Sequence, residues 1–128
     1  MIFIDIIELT EKAVMLAGKD EKLKEKMKDI TTSIVMALKN GEDTYLTFSI
    51  NNGDIKLLKE KPAEPDFMFE ISKEDFTKLM TGKAYGMILM ATKKLNMVKG
   101  SWAEINKIAG PLGAIPKFGK EIAEKEGM

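Results

Sequence analysis

Apolar residues near the start of the chain recur at spacings of three and four. Ile2, Ile6, Leu9, Ala13 and Leu16 mark one face of an amphipathic helix, with Gly18 as its expected stop. Asp5, Glu8 and Glu11 interrupt that run and no basic stretch precedes it, so it reads neither as a signal peptide nor as a membrane span. Residues 20–29 set Leu23 and Met27 among alternating charges behind Asp20, a pattern that predicts a short, N-capped surface helix. The periodicity then changes. Ile30, Ile34 and Leu38 also suit a helix, but Thr31, Thr32, Ile34 and Val35 are β-branched and Asn40-Gly41 follows, which favours a strand over 30–38. Thr44 to Ile50 alternates Tyr45, Thr47 and Ser49 with Leu46, Phe48 and Ile50, so the two runs should pair as a hairpin. Asn52-Gly53 repeats the turn signal before Ile55 to Leu58, and the loop 59–65 leads to Phe67 to Ile71. The expectation is a meander of four antiparallel strands.

Ser72 and Asp75 form a capping box with Ile71 and Phe76 at the staple positions, opening a helix that Gly82 should close. Residues 84–91 are apolar throughout and bounded by Lys83 and by Lys93-Lys94; such a helix must be buried or must face something greasy. Leu95 to Lys99 reads as a fifth strand. Ser101 and Glu104 then cap a helix bearing Trp102, Ile105 and Ile108, with Gly110-Pro111 as its expected end. Gly113, Pro116 and Gly119 are interleaved with Leu112, Ile115, Phe118 and Ile122, so residues 111–128 read as a weakly specified, lid-like tail. One domain over residues 1–128 is expected, with 1–29 as its N-terminal helices.

Composition narrows the chemistry. The chain has no His, Cys, Arg or Gln, which removes nucleophilic triads, redox dithiols, iron-sulfur sites and zinc sites with nitrogen or sulfur ligands. Carboxylate, lysine or hydroxyl chemistry remains, or binding without chemistry. The absence of disulfides favours a cytoplasmic protein. Thr81-Gly82-Lys83 is not a phosphate loop, because Thr77 stands where that loop needs glycine. Glu74 and Asp75 suit a first helical turn better than a catalytic pair, and no lysine is singled out for a Schiff base.

The formal charge is zero, with 20 Lys against 20 Asp plus Glu, which gives no reason to expect nucleic acid. That total hides a polarised chain. Between residues 76 and 120 stand Lys78, Lys83, Lys93, Lys94, Lys99, Lys107, Lys117 and Lys120 against Glu104 alone. The same stretch holds Met80, Met87, Met90 and Met97, the single Trp, the apolar run 84–91 and the tail. Lysines around an apolar opening attract an anionic bilayer, and methionine linings suit irregular flexible ligands. A methionine-rich core with lysines outside accounts for the same pattern.

The segment Asp66 to Gly100 resembles the sterol carrier protein 2 (SCP2-like) lipid-transfer family. The resemblance lies in an Asp before a strand, the Ser-x-x-Asp-Phe helix start at Ser72, Leu-Met-x-Gly-Lys at Leu79, an apolar helix, and Lys-Leu-x-hydrophobic-x-Gly ending at Gly100. It extends more weakly to the hairpins 31–60 and the tail; Ala84-Tyr85 and Thr92 depart from the family's pattern. It implies an α+β fold with a five-stranded, mostly antiparallel sheet covered on one face by helices. An apolar tunnel would lie between them, with no cofactor, no metal and no catalytic residue. The tunnel candidates are Phe48, Phe69, Phe76, Leu79, Met80, Met87, Met90, Met97, Trp102 and Ile105, closed by Leu112, Ile115 and Phe118. The implied function is non-catalytic binding and transfer of a fatty acyl, isoprenoid or sterol-like lipid. The alternative is an accessory subunit docking through its apolar tail on an enzyme of lipid or isoprenoid-quinone metabolism. Expected partners are the lipid and, transiently, an anionic membrane surface met through Lys83, Lys93, Lys94, Lys117 and Lys120; a homodimer is compatible with the sequence.

Overall fold

The computed structural model describes residues 5–39 and 43–126. The order of elements is α1 (Ile6–Lys19), α2 (Glu21–Met27), β1 (Thr31–Lys39), β2 (Asp43–Asn51), β3 (Asp54–Leu58), β4 (Phe67–Ser72), α3 (Lys73–Met80), α4 (Gly86–Ala91), β5 (Leu95–Lys99), α5 (Trp102–Leu112) and α6 (Ile115–Lys125).

Local chemistry explains the ends of the first three helices it caps. The Asp5 carboxylate accepts a hydrogen bond from Ile7 N–H at 2.7 Å and starts α1. Asp20 ends α1 and starts α2, its carboxylate accepting from Leu23 N–H at 2.9 Å. α1 therefore runs through Gly18 to Lys19 rather than stopping at the glycine. Its buried stripe is Ile6, Leu9, Thr10, Ala13, Val14 and Ala17, which leaves Leu16 exposed; Ile2 lies outside the described residues. Ser72 Oγ accepts from Asp75 N–H at 3.0 Å and donates to the Asp75 carboxylate at 2.9 Å, while Ile71 and Phe76 are both buried beside this cap.

The sheet has the order β3-β2-β1-β4-β5. β1–β2, β2–β3 and β4–β5 pair antiparallel, and β1–β4 pair parallel. The sheet is thus mixed, and the expected meander covers only its first three strands. Asn52 and Gly53 both have positive φ, +50° and +86°, as a two-residue turn between β2 and β3 requires. The Asn40-Gly41 turn lies outside the described residues.

The correction at β4 has a geometric cause. A two-residue turn forces neighbouring strands to pair, but residues 59–66 can span about 28 Å when extended. That exceeds the ~14 Å of three strand spacings, so the chain can cross β2 and β1. Thr47 Oγ1 donates to Glu60 C=O at 2.5 Å, holding this crossing on the sheet face opposite Phe48. Asp66 then fastens the arriving strand to β1. Its carboxylate accepts from Ser33 N–H at 3.0 Å and Thr32 Oγ1 at 3.2 Å, and its own N–H donates to Ser33 Oγ at 3.0 Å.

The other face carries Ile34, Leu46, Phe48, Ile50, Phe67, Phe69 and Ile71, and the helices cover it to form one core. α5 continues through Gly110-Pro111 to Leu112 instead of ending there. The tail is also more ordered than its composition suggests. Residues 115–125 form α6, which buries Ile115, Gly119, Ile122 and Ala123 against α1 and α3. A Cβ on Gly119 would lie 2.0 Å from the Met80 carbonyl oxygen, so glycine here permits a close helix approach that propensity alone cannot reveal.

Candidate functional site

Between the sheet and α3 lies an apolar cavity of about 80 Å³. β1 and β2 supply Ile34, Met36 and Phe48 to its floor. α3 brings Phe76, Leu79 and Met80 at helical spacing, and Leu112, Ile115 and Pro116 come from the α5–α6 junction. Every lining residue is apolar, so the space suits hydrocarbon and has nothing to orient a polar reacting group.

Of the residues singled out in the sequence, Phe48, Phe76, Leu79, Met80, Leu112 and Ile115 meet at this cavity. Phe69 and Ile105 are buried in the same core, with Met90, Met97 and Phe118 packed against it, but none of these five lines the space. Met87 and Trp102 stand outside the cavity, 80% and 51% exposed. α4 is only six residues long and docks through Leu89 with Met90 packed beside it, which leaves Met87, Ile88 and Ala91 exposed. On α5 the inward stripe passes through Ile105 and Ile108, leaving Trp102 at the surface. Ile34 and Met36 were not singled out because strand alternation shows which face a residue occupies and not which helix covers it. Pro116 registered only as a helix breaker, yet it sits at the first turn of α6, where its missing N–H costs nothing.

The cavity is small. An apolar cavity of about 150 Å³ admits benzene, and ligand pockets usually run to roughly 300 Å³ or more. This cavity is not a lipid-sized tunnel, and a long guest would have to move the side chains of Phe76, Met80 or Ile115 or displace the α5–α6 junction.

A second hollow, at one end of strands β1, β4 and β5, is lined largely by polar residues: Lys39, Glu70, Ser72, Lys94 and Asn96, with Ile71. Lys39 and Glu70 form an ion pair there. No grouping of three or more metal-ligating side chains occurs among the described residues. The Lys59 ammonium is held above its ordinary value by its hydrogen bond to Glu11 and by that carboxylate's charge.

The profile of the SCP-2 sterol transfer family matches residues 11–112. This chain belongs to that family. Solved structures of SCP-2 proteins share the fold. A sterol carrier protein 2 superposes with a TM-score of 0.74 at 15% identity, covering 89% of this chain and 95% of its own. The apo sterol carrier protein 2 of Yarrowia lipolytica gives 0.63 at 23% identity, with 90% and 89% covered. A ubiquinone synthesis protein, UbiJ-SCP2, gives 0.63 at 11% identity, with 89% and 94% covered. Likeness at these identities speaks for the fold. Comparison with the curated proteins returns no match. No helix among the described residues is long and apolar enough to cross a membrane.

Proposed function

We propose that this SCP-2 family member binds a hydrophobic ligand, a fatty acyl, isoprenoid or sterol-like lipid, between its sheet and α3, and transfers it without catalysis. The wholly apolar lining of the cavity carries this reading. A chain of sixteen carbons gives up about 13 kcal/mol on entering water, at ~0.8 kcal/mol per methylene, so a carrier must offer comparable shelter. Leu112, Ile115 and Pro116 lie at the junction of two helices and form the wall most easily displaced. Moving that junction outward enlarges the space. In this reading the closure is the α5–α6 junction, a narrower element than the whole tail.

Delipidated protein titrated with a fluorescent fatty acid tests the proposal. Saturable uptake at micromolar concentration supports it, and no uptake overturns it. The accessory-subunit reading draws on the fold shared with the ubiquinone synthesis protein. Ile115, Ile122 and Ala123 of the tail face inward, so docking on a partner enzyme would have to use another surface.

A further inference from the structure

α4 and its flanks expose apolar side chains between lysines. Tyr85, Met87 and Ile88 are 70%, 80% and 57% exposed. Lys83 precedes them, Lys93 and Lys94 follow, and all three are exposed. α6 adds two more. The stem of Lys120 lies beside Gly82, where a Cβ would be 2.8 Å from Lys120 Cδ, and Lys117 stands one turn earlier. Among the described residues the ion pairs engage Lys12, Lys28, Lys39, Lys59 and Lys78. None engages Lys83, Lys93, Lys94, Lys117 or Lys120. No acidic residue occurs between Asp75, which is held by the Ser72 cap, and Glu104.

Lys93 adds a separate observation. Its φ of +63° places it in the left-handed region just past α4, with its N–H donating to Met90 C=O at 3.1 Å and the Lys94 N–H to Leu89 C=O at 2.8 Å. Glycine is the favoured residue at such a helix end. The chain places a cation where glycine would fit the backbone better.

We propose that α4, with Lys83, Lys93, Lys94, Lys117 and Lys120, is the face by which this protein docks on an anionic bilayer. The chemistry matches on each count: unneutralised ammonium groups meet acidic headgroups, Tyr85 suits the headgroup level, and Met87 and Ile88 reach the acyl boundary. The face adjoins the cavity, since a Cβ on Gly86 would lie 4.0 Å from the lining residue Leu79. This inference rests on the carrier reading and assigns the membrane partner and its contact surface.

Co-sedimentation with vesicles of mixed phosphatidylglycerol and phosphatidylcholine, against phosphatidylcholine alone, tests it. The chain should bind the mixed vesicles preferentially, and added salt should weaken binding. Lys93→Gln and Lys94→Gln should each lower affinity about fivefold, and Ile88→Ser should lower it with the fold intact. Lys93→Gly should weaken vesicle binding while raising the melting temperature, an opposition that general loss of structure cannot produce. Equal binding to both vesicle types, no binding to either, or undiminished binding by the Lys93→Gln/Lys94→Gln double variant would overturn the proposal. A chain that ignores vesicles but engages a protein through Ile88 would do the same. Fatty-acid uptake without vesicles separates the two readings. Uptake retained without vesicle binding overturns the docking face alone, and vesicle binding without uptake overturns the carrier reading and upholds the face.

Discussion

Gly119→Ala adds one methyl group where α6 meets the end of α3 at close range. The new Cβ would lie 2.0 Å from Met80 O, 3.1 Å from Met80 C and 3.3 Å from Leu9 Cδ2. Two of the three atoms are backbone at the end of α3, so they cannot swing aside as a side-chain tip would. Relief requires α6 to move outward by roughly 1 Å against a close-packed core. Overpacking of this kind costs about 1–3 kcal/mol, offset by up to ~1 kcal/mol because alanine outranks glycine within a helix. The clash here is severe and with backbone, so a net loss near 2 kcal/mol is expected, which lowers the melting temperature by about 8 °C for a chain of this size. Ile115 and Pro116 move with α6, and both line the cavity. The variant should therefore take up a fluorescent fatty acid faster even as it melts earlier. Gly18→Ala is the control, because its Cβ meets Ile55 Cγ2 at an ordinary 3.8 Å; helix propensity then dominates and the variant gains about 0.5–1 kcal/mol. Circular-dichroism melting and stopped-flow uptake read both effects. Unchanged melting and uptake in Gly119→Ala would show that α6 is not seated on Met80, and the argument for the α5–α6 wall would fail.

Three further outcomes follow from the same contacts. Phe76→Ala removes a fully buried ring that lines the cavity and should cost about 3–5 kcal/mol in urea unfolding; a cost below ~1 kcal/mol would mean that the space collapses around the deletion. Asp66→Ala releases two hydrogen bonds to β1 and should cost about 1–2 kcal/mol, with faster amide exchange at Ser33 as its local signature. The folded-state pKa of Lys59 is raised, so the Lys59–Glu11 contribution is complete below the lysine's ordinary value and is lost as pH rises through the raised one. Lys59→Met should therefore remove a small alkaline decline in stability, measured in low-salt buffer, and an unchanged profile would count against the pair.

What the sequence determined by itself was local. Capping residues located the starts of α2 and α3, Asn52-Gly53 set a hairpin, and alternation assigned Leu46, Phe48 and Ile50 to one face, because these effects act within a few residues. The family pattern from Asp66 to Gly100 likewise consists of short-range spacing. Tertiary structure decided whatever depends on residues distant in the chain. It set β4 beside β1 through Asp66 and Ser33, carried α5 past Gly110-Pro111, and seated α6 on Met80. It also divided the apolar residues, gathering Phe76, Leu79 and Ile115 around a cavity and leaving Met87 and Trp102 in solvent. Hydrophobicity states that a side chain gains from leaving water; only the packed partners state whether it can.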